Sequence, residues 1–235
     1  MKSAVIIMDA HVMTSRSRPL KQGFEWFARA LFRLYLPLRV SGALPGEPSL
    51  VCSNHTSHLD SIALMIASGR PFASFRLLAA SDYFAPESRA GRLTRSVLNI
   101  IGIDRSSAGS AGLRQTIAEC ADTVREHGVH LIAFPEGTRS MRGGLLPFKR
   151  GAGLLAVALN LPVVPAYIEG TRAAMPKGAW LPRPGRLAVR FGAPIRPADW
   201  EGLPGRKAQY AYVTSELERR VMELAARAAG DPLGV

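Results

Sequence analysis

The stretch NHTSHLD at residues 54–60 places two histidines, two hydroxyls and a carboxylate where an apolar run gives way to a predicted helix. A carboxylate bonded to one imidazole nitrogen fixes the tautomer and leaves the other nitrogen able to accept a proton. The positive end of the helix favours the neutral imidazole, the form that a general base needs. Such a pair can deprotonate a hydroxyl without a covalent enzyme intermediate. We therefore predict that His55 is a general base and that Asp60 orients it.

Helix capping is the simpler explanation for part of this stretch. Ser57 and Asp60 have the spacing of a capping box, with Asp in place of the usual Glu or Gln. A carboxylate in the first turn also suits the helix dipole. Capping explains neither His55 nor Asn54. The prediction of a general base therefore stands beside it.

Two other kinds of site could use the same residues. His55, His58 and Asp60 could hold a metal ion, but such clusters usually have a further ligand motif, and the sequence shows none. Ser57 or Cys52 could be a nucleophile activated by histidine, although neither lies in a G-x-S-x-G turn. We predict no metal site and no covalent intermediate.

A second polar turn lies in LIAFPEGTRSMRGGLLPFKRGAG, residues 131–153, after another apolar run. Gly137 permits a tight turn there, and Lys149 precedes a predicted helix at 151–160. Cations near a helix N-terminus make a good anion site. The polar residues that the turn would expose are Glu136, Thr138, Arg139 and Ser140.

The elements that must position these residues alternate along the chain. Five apolar runs predict strands, at 49–54, 75–81, 129–134, 162–168 and 186–192. Helical periodicity predicts helices at 58–68, 87–101, 113–127, 151–160 and 206–229. This alternation predicts an α/β fold, a single-domain sandwich around one mostly parallel mixed sheet. Both polar turns follow strands, at the carboxyl edge where α/β folds gather their chemistry.

An amphipathic helix is predicted near the N-terminus, within residues 23–40. Apolar residues recur there with helical period, Arg29 and Arg33 share the opposite face, and Trp26 widens the apolar arc. Aromatics with arginines suit a helix that lies in the headgroup region of a membrane; a core helix at the domain edge is the alternative. We accordingly divide the chain into a membrane-associating segment, 1–40, and the α/β domain, 41–235.

Composition favours an acidic partner. The 235 residues carry 30 Lys and Arg against 18 Asp and Glu, a formal charge of +12. An anionic membrane or an acidic carrier would suit this charge, although an arginine-rich solvated surface accounts for it equally well. Basic residues interleaved with aromatics, which would indicate nucleic acid, are lacking. The two cysteines predict no disulfide framework, and no apolar stretch approaches the ~18 residues of a membrane-spanning helix.

Four blocks in order resemble the motifs of the glycerolipid acyltransferase family, typified by bacterial 1-acylglycerol-3-phosphate acyltransferases. The blocks are NHTSHLD, IDR (103–105), FPEGTRS (134–140) and LPVVPAYI (161–168), and the resemblance covers roughly residues 40 to 200. It implies that His55 is the catalytic base and Asp60 its orienting carboxylate. The substrate-binding residues that we expect on this basis are Arg105, Glu136, Gly137, Thr138, Arg139 and Lys149.

The resemblance also implies a reaction. A fatty acyl group would pass from acyl-CoA or acyl carrier protein to the free hydroxyl of a lysophospholipid in phospholipid biosynthesis, with 1-acyl-sn-glycerol-3-phosphate giving phosphatidic acid as the leading case. No cofactor is expected, and the enzyme would be peripheral or monotopic at the cytoplasmic face of the cell membrane. Many phosphatidate-forming members carry lysines in a pattern like AKKEL where this chain has AASDYF (79–84). Another lysolipid or an aminolipid acceptor is therefore an alternative, as is a non-catalytic protein that binds anionic lipid.

Overall fold

The computed structural model describes residues 18–80, 94–103 and 110–231. Its strands are β1 (Leu38–Ser41), β2 (Leu50–Ser53), β3 (Phe75–Ala80), β4 (Ile100–Ile103), β5 (His130–Ala133), β6 (Val163–Glu169) and β7 (Leu187–Phe191). Its helices are α1 (Arg18–Leu34), α2 (Leu59–Ala67), α3 (Ser110–His127), α4 (Gly151–Leu159), α5 (Thr171–Ala174) and α6 (Gly205–Gly230).

The strands form one sheet in the order β1-β7-β6-β2-β5-β3-β4. Among these seven, neighbours are parallel except β6 and β7, which are antiparallel. The predicted α/β fold with one mostly parallel mixed sheet is thus confirmed. Strand β2 lies between β6 and β5 and is parallel to both. The segments that follow these three strands therefore meet at the carboxyl ends of the strands, near the middle of the sheet.

Helices cover both faces of the sheet, and each face has its own apolar core. On one side α1 and α2 pack against residues such as Phe75 and Val164. On the other side α3, α4 and α6 enclose a second cluster that includes Trp200 and Leu217. Strand β2 is buried along its whole length and alternates between the two cores, since Val51 belongs to the first and Cys52 to the second.

The helix predicted within 23–40 is real but ends at Leu34, and residues from Leu38 onward form β1 instead. Pro37 explains the change, because proline cannot donate the helical hydrogen bond and disfavours helix in the residue before it. Its carbonyl oxygen accepts the N–H of Leu187, which brings the chain onto the sheet. The predicted domain boundary at residue 40 falls inside this strand.

The helix predicted at 87–101 was too long at its C-terminal end. Residues 94–97 are helical, but Asn99 has a φ of 51° and Ile100 begins β4. Asparagine tolerates this left-handed conformation better than most residues, so it can turn the chain out of a helix. Residues 87–93 of the predicted helix lie outside the described residues.

Helix α1 has one face buried in the core and another that is exposed. Ala28 and Phe32 are buried in the same core as α2, whereas Trp26, Phe27 and Leu34 are exposed. The helix therefore covers the sheet and also presents an aromatic surface to its surroundings. No helix within the described ranges is both long enough and apolar enough to cross a membrane.

Candidate active site

Two neighbouring strands deliver the polar turns to the same place. Cys52 of β2 pairs with Ala133 of β5 in parallel register, so the residues that follow them emerge side by side. The stretch 54–60 follows β2, and the turn 134–140 follows β5. The two turns are adjacent because of the strand order in the sheet, since Glu136 comes 81 positions after His55 along the chain.

His55 and Asp60 form a hydrogen-bonded pair. Nδ1 of His55 lies 2.9 Å from Oδ2 of Asp60, and the carboxylate is fully buried. The same Oδ2 accepts the backbone N–H groups of Thr56 at 2.7 Å and Ser57 at 2.8 Å. Because Oδ2 acts as an acceptor toward all three groups, the ring proton resides on Nδ1 and Nε2 carries the lone pair. One carboxylate thus both organises the helix start and orients the imidazole.

Ser57 bonds to the first turn of α2, so the predicted capping box is formed in part. Its Oγ accepts the N–H of Leu59 at 3.2 Å and donates to the carbonyl oxygen of Met175 at 2.7 Å. Its own N–H donates to the carboxylate of Asp60, which is one half of a capping box. The N–H of Asp60 donates to the backbone carbonyl oxygen of Ser57 at 3.3 Å instead of to its hydroxyl, so the second half of the box is not formed. The cap position falls to His58, whose φ of −64° and ψ of −21° are already helical and whose side chain does not cap the helix.

The alternative nucleophile and metal sites find no support in the geometry. Cys52 is completely buried in the core, and this burial raises the pKa of its thiol far above the usual range. The hydroxyl of Ser57 is buried and engaged in the two bonds described above. Within 18–80, 94–103 and 110–231, no three His, Cys, Asp or Glu side chains gather in a way that could hold a metal ion.

The imidazole of His55 is held by its surroundings on several sides. Its ring stacks on Phe134, with 4.0 Å between the ring centroids and 15° between the planes. Its backbone N–H donates to Glu136 at 2.8 Å, and its carbonyl oxygen accepts the N–H of Ser140 at 2.8 Å. The side chain is 21% exposed, and no hydrogen bond among the described residues engages Nε2. A pre-oriented nitrogen thus faces the outside.

Glu136 links the stretch after β2 to the loop that follows its own turn. It is buried, with one carboxylate oxygen on the N–H of His55 and the other on that of Leu146 at 3.1 Å. Burial raises the pKa of this carboxyl, against the opposing effect of the two backbone N–H groups. In this geometry Glu136 positions the base and the following loop through their backbones.

The turn after Glu136 brings a cation to the surface of the site. Gly137 has a φ of 69°, a conformation that favours glycine. A Cβ at this position would come within 2.9 Å of Nζ of Lys149, so the ammonium lies directly over the turn. The N–H of Lys149 bonds to the carbonyl oxygen of Pro135, which fixes the approach of the two segments.

Arg139 lies beside the histidine pair. It is half-buried. Burial of the neighbouring His58 lowers the pKa of that histidine, and the positive charge of Arg139 lowers it further. Thr138 is exposed on the same turn. Arg139 and Lys149 thus bring positive charge to the end of the sheet where Nε2 of His55 is open. Arg105, predicted in the second block, lies outside the described residues.

Sequence reasoning missed the residues that assemble the site. Phe134 was interpreted only as the end of a strand, yet it supports the imidazole. Asn54 had no explanation; its amide donates to the carbonyl oxygen of Ile168 at 2.9 Å and accepts the N–H of Ile168 at 2.8 Å. It thereby continues the pairing of β2 with β6 by one residue. The only signal in the sequence was an amide at the end of a buried strand.

The chain matches the acyltransferase family over residues 37–169, more than half of its length, and it belongs to that family.

The particular relatives that it resembles share one name. It is 33% identical over 166 residues to a 1-acyl-sn-glycerol-3-phosphate acyltransferase of Limnanthes douglasii, which covers 70% of this chain and 57% of the relative. It is 36% identical over 162 residues to the alpha form from Bos taurus, covering 68% of this chain and 52% of the relative. The chain thus spans about half the length of these relatives.

A solved structure also resembles this fold. The 1-acyl-sn-glycerophosphate (LPA) acyltransferase PlsC from Thermotoga maritima superimposes with a TM-score of 0.63 at 28% identity. The match covers 88% of this chain and 80% of that protein.

Proposed function

We propose that this protein is an O-acyltransferase that moves a fatty acyl group from an acyl thioester to the free hydroxyl of a lysophospholipid, in phospholipid biosynthesis. The observation that carries the proposal is the 2.9 Å contact between Nδ1 of His55 and Oδ2 of Asp60, with Nε2 of the same ring open. A protein that only bound lipid would have no use for this pair.

The geometry suits a single displacement at the thioester. Nε2 of His55 takes the proton of the acceptor hydroxyl as its oxygen attacks the carbonyl carbon. Asp60 stabilises the imidazolium that forms and prevents the ring from turning. The carbon–sulfur bond then breaks, and the thiolate leaves with the proton returned by the imidazolium. No group of the enzyme is acylated, and the chemistry needs no cofactor.

The acceptor that we propose is 1-acyl-sn-glycerol-3-phosphate, which would yield phosphatidic acid. Arg139 lies on the turn beside His55 and the ammonium of Lys149 lies over that turn; guanidinium and ammonium groups bind phosphate well. The relatives from Limnanthes douglasii and Bos taurus are named for this substrate. Gly137 allows the turn that carries Arg139 and leaves room for Lys149 above it, and Thr138 is exposed on the same turn.

The donors that we propose are acyl-CoA and acyl carrier protein. Both are acidic, and the formal charge of +12 on this chain would attract either of them. They differ in the size of the carrier but present the same thioester to His55.

We propose a peripheral position at the cytoplasmic face of the cell membrane. Trp26, Phe27 and Leu34 of α1 are exposed, and aromatic residues of this kind favour the headgroup region. Deletion of residues 1–40 would not test this idea, because it would also remove Phe32 from the core and most of β1 from the sheet. Replacement of Trp26 and Phe27 by Ser leaves the buried face intact and is the better variant.

Purified protein with labelled palmitoyl-CoA or palmitoyl carrier protein and a panel of lysolipids tests the reaction. We expect transfer to 1-acyl-sn-glycerol-3-phosphate, and a loss of at least about 10²-fold in turnover for His55→Ala. His127→Ala is the matched control, because His127 is exposed at the end of α3. Equal turnover in the wild type and His55→Ala would refute the assigned base. Preference for another lysolipid would change the acceptor and leave the mechanism intact.

A further inference from the structure

The connection between β6 and β7 carries two large apolar side chains that the fold does not bury. Trp180 is 94% exposed and Leu181 is 79% exposed, and Trp180 has the highest value of any large apolar residue described. An indole held in water forgoes a large gain from burial. Two such residues in succession indicate a surface that is covered by something else.

The loop is built to present these side chains. The N–H of Arg183 donates to the carbonyl oxygen of Ala174 at 2.7 Å and closes its stem, and Ala174 is buried beneath it. At the tip, the N–H of Ala179 donates to Pro176 at 3.0 Å, and Gly178 has a φ of 90°. Trp180 is therefore carried on a closed loop with its own internal hydrogen bonds.

Cations surround the apolar tip. The segment from 171 to 186 contains no acidic residue, and all four of its basic side chains are exposed: Arg172, Lys177, Arg183 and Arg186. Tryptophan and leucine beside lysine and arginine are the composition that binds an anionic bilayer surface, where the rings enter the headgroup region and the cations meet lipid phosphates. A protein partner of ordinary composition would not require this exclusion of acidic residues.

The stem of the loop is fastened to the candidate active site. The carbonyl oxygen of Met175 accepts the hydroxyl of Ser57 at 2.7 Å, within the stretch that holds His55. Nε of Arg172 donates to the carbonyl oxygen of Met141 at 3.2 Å, just past the turn that carries Arg139. A surface bound at this loop is thereby brought to the edge of the sheet where the open imidazole nitrogen lies.

We propose that residues 175–183 form a second membrane-docking element, separate from α1, in which Trp180 and Leu181 enter the headgroup region of an anionic bilayer. Its purpose rests on the proposed function, because docking beside His55 would place the base where a lysolipid hydroxyl is found. The contact with the bilayer itself can be measured without any turnover.

Tryptophan fluorescence tests the contact directly. The chain has three tryptophans; Trp200 is buried, so Trp26→Phe leaves Trp180 as the only exposed one. We expect its emission to shift to the blue, and to be quenched by brominated acyl chains, when vesicles of phosphatidylcholine with phosphatidylglycerol are added. The shift should disappear in Trp26→Phe with Trp180→Phe. It should persist in His55→Ala, so failure of the proposed reaction would not be confused with failure of docking.

Vesicle sedimentation measures the strength of the contact. We expect Trp180→Ser with Leu181→Ser to weaken partitioning onto the same vesicles by at least about fivefold, since two apolar side chains leave the interface. Met222→Ser is the matched control, because Met222 is an exposed apolar residue on α6 and outside the loop. Unchanged partitioning and unshifted emission would overturn the proposal. Self-association in sedimentation velocity that the double substitution abolishes would also overturn it, in favour of a second copy as the partner.

Discussion

Two histidines lie at opposite ends of the same pair of neighbouring strands, and both are packed against a phenylalanine. His55 follows the carboxyl end of β2 and stacks on Phe134. His130 begins β5 and stacks on Phe75, with 5.5 Å between the centroids and 29° between the planes. Aromatic packing therefore holds both rings in place, and packing alone does not make either of them reactive.

The two histidines differ in the partner of Nδ1 and in their access to solvent. His55 is bonded to a carboxylate, Asp60, and keeps an exposed edge. His130 lies 2.9 Å from the hydroxyl of Ser49 and is almost completely buried. Burial, with the nearby positive charge of Arg70, lowers the pKa of His130 to about 4. A buried carboxylate and an open second nitrogen thus distinguish a candidate base from a histidine of the core.

The largest effect on turnover is expected when the charge of Asp60 is removed by a side chain of the same shape. In Asp60→Asn, the amide oxygen can accept the three donors that Oδ2 accepts, and the new NH2 group would take the place of Oδ1, which makes no hydrogen bond among the described residues. We expect turnover to fall by about 10²–10⁴-fold, because the imidazolium loses its counter-charge.

The stability of Asp60→Asn separates this charge effect from damage to the fold. An unsatisfied NH2 group should cost about 1–3 kcal/mol of the free energy of unfolding, which urea denaturation would measure. Asp60→Ala is the contrasting variant, since it leaves three donors without an acceptor and should be less stable than Asp60→Asn. Wild-type turnover in Asp60→Asn would show that the carboxylate serves only to cap the helix.

The sequence was sufficient for the parts of the fold that depend on local pattern. Apolar runs predicted the five inner or long strands, and the spacing of Ser57 and Asp60 predicted the hydrogen bond from the N–H of Ser57 to the carboxylate that also bonds to His55. The short edge strands β1 and β4 were missed because their few apolar residues directly continue helical patterns.

The order of the strands was not available from local pattern. The adjacency of β2 and β5 places Phe134 against His55 and Glu136 beneath its backbone, across a large separation in sequence. Family resemblance led to the expectation that Glu136 contacts the acceptor. In the structure its two oxygens accept backbone N–H groups of His55 and Leu146, so Glu136 also positions the base and the loop after the turn.

An intermediate effect is expected when the two phenylalanines are exchanged for leucine one at a time. Phe134→Leu should lower the rate of transfer by about tenfold with little loss of stability, because a tilted imidazole departs from the geometry of attack. Phe75→Leu should leave the rate nearly unchanged but cost about 1–3 kcal/mol in unfolding, since Phe75 is completely buried. Measurement of kcat and of the free energy of unfolding for both variants checks the contrast. Equal losses of rate would mean that stacking has the same purpose at both ends.

The smallest effect, and one confined to stability, is expected from the titration of His130. Its pKa is about 4 in the folded protein and near 6.5 in an unfolded chain, so the unfolded state binds more protons between these values. The stability that His130 contributes is fully present above about pH 6.5 and is lost as the pH falls toward 4, by about 2 kcal/mol at pH 5. Urea denaturation at pH 7 and pH 5 measures this loss, and His130→Gln should reduce it because glutamine does not titrate.

The exposed His127 provides the control for that substitution, since His127→Gln also replaces a histidine by glutamine but leaves the buried ring of His130 in place. The carboxyl of Glu136, whose pKa is raised, acts in the opposite direction, because a carboxyl with a raised pKa favours folding as the pH falls. Glu136 is present in both His130→Gln and the wild type. Its contribution therefore cancels when the pH-dependent changes in their free energies of unfolding are subtracted. If the wild type and His130→Gln lost stability equally between pH 7 and pH 5, the buried ring of His130 would not be the group that titrates. The distinction between His55 and His130 would then rest on Asp60 alone.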